Sequence, residues 1–140
     1  KADYVLPNIT EAAFLTGLEY RKEYDRAYID ELLEKLTALG CKNVILTGIS
    51  YAPGKTGIVV YENGKYVYYE HDKEPNSCHG TGDIYASAFV GALVRGNSAY
   101  DAARIAADYT VECIRCTAKL DNHWYGAAFE PVLGKLIEML

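Results

Sequence analysis

No stretch of the sequence approaches the roughly 20 consecutive apolar residues that cross a bilayer. The opening Lys1-Ala2-Asp3-Tyr4 lacks the charged head and apolar body of a secretory leader. Both absences point to a cytoplasmic protein without a membrane partner. A basic excess is missing too: 14 Lys plus Arg stand against 19 Asp plus Glu, for a net charge of -5. That balance speaks against nucleic acid as a partner. Cysteine is sparse, and Cys41, Cys78, Cys113 and Cys116 are spaced too unevenly for the disulfide framework of a small secreted domain. Cys113 and Cys116 match C-x-x-C, but no second pair completes a zinc site and the pair lies inside a helical pattern. They read as packed thiols. Phe and Trp are few, at three and one, whereas Tyr numbers 13, an excess without a functional reading in the sequence.

What is present is enough for one core. The 140 residues are 50% hydrophobic and 24% charged, and a chain of that size hides roughly two thirds of its unfolded surface. It begins without Met and runs at once into apolar Tyr4-Val5-Leu6, which reads as a piece of something longer. That tripeptide is a short buried strand ended by Pro7. Thr10 opens a helix over 11–18 that stops near Gly17, and a second helix spans 24–39 with Ala27, Tyr28, Leu32, Leu36 and Leu39 at helical spacing and Gly40 as its stop. Residues 43–47 read as a parallel strand ending at Thr47. Strands over 56–61 and 65–69 flank Asn63-Gly64, which supplies the positive φ values of a hairpin turn. After a polar loop over 71–78 come helices over 83–95, 99–118 and 130–140. The expected fold is α/β, an open, mostly parallel sheet with flanking helices and a β-hairpin.

The densest chemical signal is His79-Gly80-Thr81-Gly82-Asp83 at a helix entrance. Two glycines let the backbone pass close to an anion, and the following helix offers unpaired N–H groups and a positive dipole end. Asp83 cannot hold phosphate, but it can accept the proton of a hydroxyl that attacks phosphate. Alternatively, Gly82 makes a tight turn and Asp83 caps the helix. Asn8 and Glu11, three apart at a strand-to-helix junction, suit a hydrated Mg²⁺ held against nucleotide phosphates. They suit equally an ordinary cap by Asn8 or Thr10, with Glu11 favoured by the dipole. Thr47 adds a hydroxyl at a strand's C-terminal end, the rim where open α/β sheets bind ligands.

Together these segments resemble the ribokinase-like kinases. Asn8-Ile9-Thr10-Glu11 is similar to their N-x-x-E motif, and Gly80-Thr81-Gly82-Asp83 to their anion hole and catalytic base. The closer resemblance is to the pyridoxal, pyridoxine and pyridoxamine kinases, through Ala2-Asp3-Tyr4-Val5-Leu6-Pro7-Asn8, Val44-Ile45-Leu46-Thr47-Gly48 and the run from His79 to Phe89.

The resemblance implies ATP-dependent phosphorylation of the 5'-hydroxyl of a vitamin B6 vitamer, a small-molecule substrate. It implies Asp83 as catalytic base, Asn8, Thr47, Gly80, Thr81 and Gly82 around the nucleotide phosphates, and Glu11 at Mg²⁺. The loop over 71–74 and the helix near Ala102 would lie close to the adenosine. A monovalent cation beside the nucleotide is part of the same pattern, although Leu6 stands where the family has Thr before Pro-Asn. The resemblance makes residues 1–140 the C-terminal, nucleotide-binding portion of the kinase domain. The missing N-terminal half holds the vitamer, so the chain alone is expected to be catalytically incomplete and to self-associate, as a homodimer or otherwise. A hydroxymethylpyrimidine or hydroxymethylpyrimidine phosphate kinase is the alternative within the superfamily, one that commonly carries Cys at the place of Asp83. Sugar and nucleoside kinases share the Gly-Asp ending, often with Ala for Thr81. A non-catalytic nucleotide-binding fragment is the alternative outside enzymes.

Overall fold

In the computed structural model, which describes residues 2–121 and 125–140, the chain divides into two units, Lys1–Lys73 and Glu74–Leu140. In the first unit, α1 (Ile9–Thr16) starts two residues before the expected Glu11, because Asn8 rather than Thr10 caps it, and Gly17 ends it at a φ of 70°. Asp25 caps α2 (Arg26–Ala38) by accepting the Tyr28 N–H at 3.1 Å. At its far end Gly40 takes a φ of 96°. There the Gly40 N–H reaches the Thr37 carbonyl at 2.8 Å and the Cys41 N–H the Leu36 carbonyl at 3.1 Å, the paired bonds of a Schellman stop.

The sheet among the described residues is ordered β1 (Val44–Ile49), β2 (Lys55–Glu62), β3 (Lys65–Asp72), with both pairings antiparallel. The mostly parallel character expected from sequence is confined to two bridges, Val5 with Val44 and Asn8 with Thr47. Connection length explains the difference. Only residues 50–54 separate β1 from β2, whereas a parallel crossover needs about a dozen residues or more. The path from Val5 to Val44 contains α1 and α2 and does make such a crossover. Asn63 and Gly64 turn the β2–β3 hairpin with φ of 53° and 77°, as that dipeptide implies. His71, expected in a loop, lies within β3.

One core cluster joins Ile9, Ala12 and Ala13 of α1, Tyr28, Ile29, Leu32, Leu33 and Leu36 of α2, and Val44, Leu46, Ile49 and Val59 of the sheet. Of the α2 stripe expected from sequence, Ala27 and Leu39 are exposed, and Ile29 and Leu33 take their place. Tyrosines finish this core. Tyr24 contacts the rings of Tyr28 and Tyr51 at centroid distances of 5.8 and 6.3 Å, and Tyr51 meets Tyr68 at 5.0 Å. The Tyr28 hydroxyl donates to the Glu19 carbonyl at 2.9 Å, and the Tyr24 hydroxyl accepts the Ser50 N–H at 2.8 Å. Tyr28 is buried and Tyr24 half-buried, and the hydroxyl of each finds a backbone partner, a use that Phe cannot fill.

The second unit is helical: α3 (Thr81–Val94), α4 (Ala99–Thr117), a 3-10 turn (Glu130–Val132) and α5 (Leu133–Met139). The last two were one helix in the sequence reading. Small residues let α3 and α4 pack closely: Ala88 and Ala92 are buried, as are Ala99, Ala102, Ala103, Ala106 and Ala107. The Tyr85 hydroxyl crosses from α3 to the Ala103 carbonyl at 3.1 Å. Cys113 is fully buried in α4 and Cys116 half-buried, both free thiols. Burial pushes the Cys113 thiol up from its ordinary range, the reverse of what a reactive cysteine needs. No described helix is long and apolar enough to cross a membrane.

Candidate active-site residues

In the first unit the parallel bridge sets Asn8 beside Thr47, with the Thr47 N–H bonded to the Pro7 carbonyl at 2.9 Å. The Thr47 hydroxyl lies at 3.5 Å from that same carbonyl, a long contact that leaves it available to another partner. Gly48 follows at a φ of 74°, within a register shift between Thr47 and Ile49 that turns the strand at this rim. Asn8 and Glu11 form a reciprocal capping box. The Asn8 Oδ1 accepts the Glu11 N–H at 2.9 Å, and the Glu11 Oε2 accepts the Asn8 N–H at 2.9 Å.

The capping reading of Asn8 is therefore observed, and Thr10 is not the cap. The box also leaves chemistry over. Among the described residues, the Asn8 Nδ2 donor and the Glu11 Oε1 acceptor have no hydrogen-bond partner, and both side chains are exposed. A free amide donor suits a phosphate oxygen. A free carboxylate oxygen suits the water shell of Mg²⁺, which keeps several of its waters when bound.

In the second unit Gly80 occupies the cap position of α3 with a φ of 83°, and no side chain caps the helix. The first bond of the helix runs from the Ile84 N–H to the Gly80 carbonyl at 3.1 Å, so the N–H groups of Thr81, Gly82 and Asp83 have no partner within the helix. A Cβ at Gly80 or Gly82 would meet nothing within 4 Å, so neighbouring side chains do not crowd these two glycines. Asp83 is not the cap that the alternative reading made it. It sits in the first turn, exposed, and among the described residues its carboxylate makes no hydrogen bond or ion pair. This end of α3 offers three convergent donors and one free acceptor.

One contribution was not visible in the sequence. The His79 carbonyl accepts the Ala127 N–H at 3.0 Å, and the Ala128 N–H is held by the Thr117 hydroxyl at 2.8 Å. A distant loop thus pins the residue before Gly80. Ala102, which the resemblance puts near adenosine, is buried within α4.

A family model for phosphomethylpyrimidine kinase matches residues 1–128. The chain belongs to that family. It is similar to a pyridoxal kinase of Dictyostelium discoideum, 30% identical over 105 residues, which are 67% of this chain and 34% of the relative. It is equally similar to a hydroxymethylpyrimidine/phosphomethylpyrimidine kinase of Aquifex aeolicus, 30% identical over 122 residues, 84% of this chain and 46% of the relative. The crystal structure of the pyridoxal kinase from Lactobacillus plantarum superposes with a TM-score of 0.84 at 26% identity, covering 99% of this chain and 50% of that one. The ribokinase-like fold implied by the motifs is therefore that of this kinase family, which implies use of ATP. The chain spans half the length, or less, of these relatives.

Proposed function

We propose that the chain is the nucleotide-binding portion of an ATP-dependent kinase that phosphorylates the 5'-hydroxyl of a B6 vitamer, acting in the cytoplasm in B6 salvage. The observation that carries this reading is the entrance of α3, where uncapped amides and an unpaired carboxylate stand within one helical turn. The amides of Thr81, Gly82 and Asp83 hold the oxygens of the transferring phosphoryl group, aided by the helix dipole. Asp83 takes the proton from the acceptor hydroxyl as its oxygen bonds to phosphorus and the bond to the leaving diphosphate breaks. Asn8 Nδ2 and the Thr47 hydroxyl donate to nucleotide phosphates, and Glu11 Oε1 accepts from the waters around Mg²⁺. When bound, Mg²⁺ neutralises charge on the phosphate oxygens. The Leu6 side chain supplies no oxygen for a monovalent cation, so that ion is not assigned to this position.

Relatives of similar identity carry both the pyridoxal and the pyrimidine kinase descriptions. Asp83, in place of the cysteine common in the pyrimidine enzymes, favours the B6 reading. The test is a fusion in which this chain replaces the region it covers in the Lactobacillus plantarum kinase, assayed for ADP release with pyridoxal, pyridoxine, pyridoxamine and hydroxymethylpyrimidine. Turnover of the three vitamers above the pyrimidine supports the proposal. Preference for the pyrimidine transfers the assignment to the alternative.

A further inference from the structure

Thr117 is the one buried polar side chain among the described residues, 8% exposed. At the end of α4 its hydroxyl donates to the Cys113 carbonyl at 2.7 Å, the back-bond that a helical threonine commonly makes. Thr110, earlier in α4, makes the same bond to the Ala106 carbonyl at 2.7 Å. Of the two, Thr117 also accepts, taking the Ala128 N–H at 2.8 Å from outside the helix. A second α4 side chain holds the next residue: the Tyr109 hydroxyl donates to the Phe129 carbonyl at 3.0 Å. The loop fixed at Ala128 and Phe129 then gives its Ala127 N–H to the His79 carbonyl at 3.0 Å. Among the described residues no peptide bond is cis, and in a trans peptide the C=O and the following N–H lie antiparallel in one rigid plane. Holding the His79 carbonyl therefore directs the Gly80 N–H away from the loop. Among the described residues nothing pairs that N–H, and Gly80, at a φ of 83°, begins the run of open amides at α3.

We propose that Thr117 is a positioning residue for the α3 entrance: through Ala128 and Ala127 it fixes the His79–Gly80 peptide, and with it the direction in which Gly80 and the amides after it meet a phosphoryl group. Tyr109 is the second anchor of the same loop. The inference rests on reading that entrance as the anion hole of a kinase. A buried hydroxyl costs stability unless it is bonded, and valine would fill much the same space, so the acceptor oxygen rather than packing explains a threonine here. Donors aimed at developing charge act through their fixed direction, and a small misplacement caused by a residue remote from the chemistry lowers turnover strongly. Thr117 touches no reacting group and acts through the backbone it holds.

The test compares Thr117→Val, Thr117→Ser, Thr110→Val and the unaltered chain, each checked for folding by circular dichroism. Inorganic phosphate is titrated against the amide NMR signals of Gly80 and Gly82, hydrogen exchange is read at Ala127, and the fused kinase is assayed for kcat and for the KM of ATP. Thr117→Val should speed exchange at Ala127, weaken phosphate about 5-fold or more and lower kcat about 10-fold, part of the loss that follows deletion of one oxyanion donor. The KM for ATP should shift by less than about 3-fold. Thr117→Ser, which keeps the hydroxyl, should restore exchange, phosphate affinity and kcat, and Thr110→Val should leave them unchanged. If Thr117→Val does not fold, Tyr109→Phe carries the same comparison, with losses of about 3-fold expected from one hydrogen bond. Faster exchange at Ala127 with normal phosphate affinity and kcat overturns the proposal and leaves Thr117 as a stabilising contact. Unchanged exchange at Ala127 overturns it too, as does a loss that Thr117→Ser does not recover or an unaltered chain without a phosphate response. The titration needs no turnover, so an inactive fusion fails the kinase reading while the titration still decides the positioning role.

Discussion

Glu11→Gln separates a cap from a metal-site residue with one atom changed. Glutamine keeps a carbonyl oxygen where Oε2 now accepts the Asn8 N–H at 2.9 Å, so the capping box survives. What is lost is a negative charge in the first turn of α1. That interaction is worth about 0.3–1 kcal/mol, and the exposure of Glu11 puts it toward the low end. A loss of about 0.5 kcal/mol lowers Tm by roughly 1–2 °C in a chain of this size. Asn8→Ala removes the cap itself and should cost about 1 kcal/mol, or roughly 3 °C. If Glu11 also serves Mg²⁺, Glu11→Gln should raise the Mg²⁺ concentration for half-maximal activity of the fused kinase by about 10-fold, as loss of an outer partner of a metal commonly does. Thermal denaturation of the chain without Mg²⁺ and a Mg²⁺ titration of the fusion measure the two effects separately. Coincident Mg²⁺ titrations would refute the metal role and leave Glu11 as a cap alone.

Gly57→Ala should be severely destabilising, because a Cβ there would run into the Tyr69 carbonyl and, at 2.9 Å, the Tyr68 ring. The obstacle is backbone, so a loss of about 3 kcal/mol or more is expected in chemical denaturation; a loss below 1 kcal/mol would contradict the β2–β3 register. Stability should also fall in alkali. Burial pushes Tyr51 up from 10.0 to about 12 and raises Tyr85 as well, and a hydrogen bond to Glu62 pushes Tyr4 to about 12. The fold therefore holds these protons more tightly than the unfolded chain, so their contribution is complete below pH 10.0 and is lost as pH rises toward 12. Denaturation midpoints across that window check the sign, and Tyr85→Phe should flatten the slope.

The parts legible in sequence were those decided locally. Asn63-Gly64 sets its own turn through its φ values, and Gly80 to Asp83 declares a helix entrance by residue type alone. Asn8 and Glu11 were legible as a pair, but cap and ligand site call for the same residues at the same spacing, so only the observed reciprocal bonds establish the cap. Gly48 looked like the end of a strand, yet the strand continues to Ile49 through a bulge that the glycine permits. The antiparallel β1–β2 pairing was within reach of the sequence, because residues 48–55 between the expected strands already fall short of the dozen or so that a parallel crossover needs. The tyrosine excess had no sequence explanation because its ring contacts join α2, the β1–β2 connection and β3, segments distant in the chain. The hold of Ala127 on His79 is equally non-local.

The proton-accepting role proposed for Asp83 is tested most directly by removing its acceptor oxygen. In the fused kinase, Asp83→Asn preserves the shape of the side chain and removes the acceptor. With pyridoxal as substrate, kcat should fall by about 100-fold or more, while ATP affinity changes by only a few-fold and Tm by about 2 °C or less. Near-normal turnover in the Asp83→Asn fusion would contradict the account and reduce Asp83 to a residue of the first helical turn.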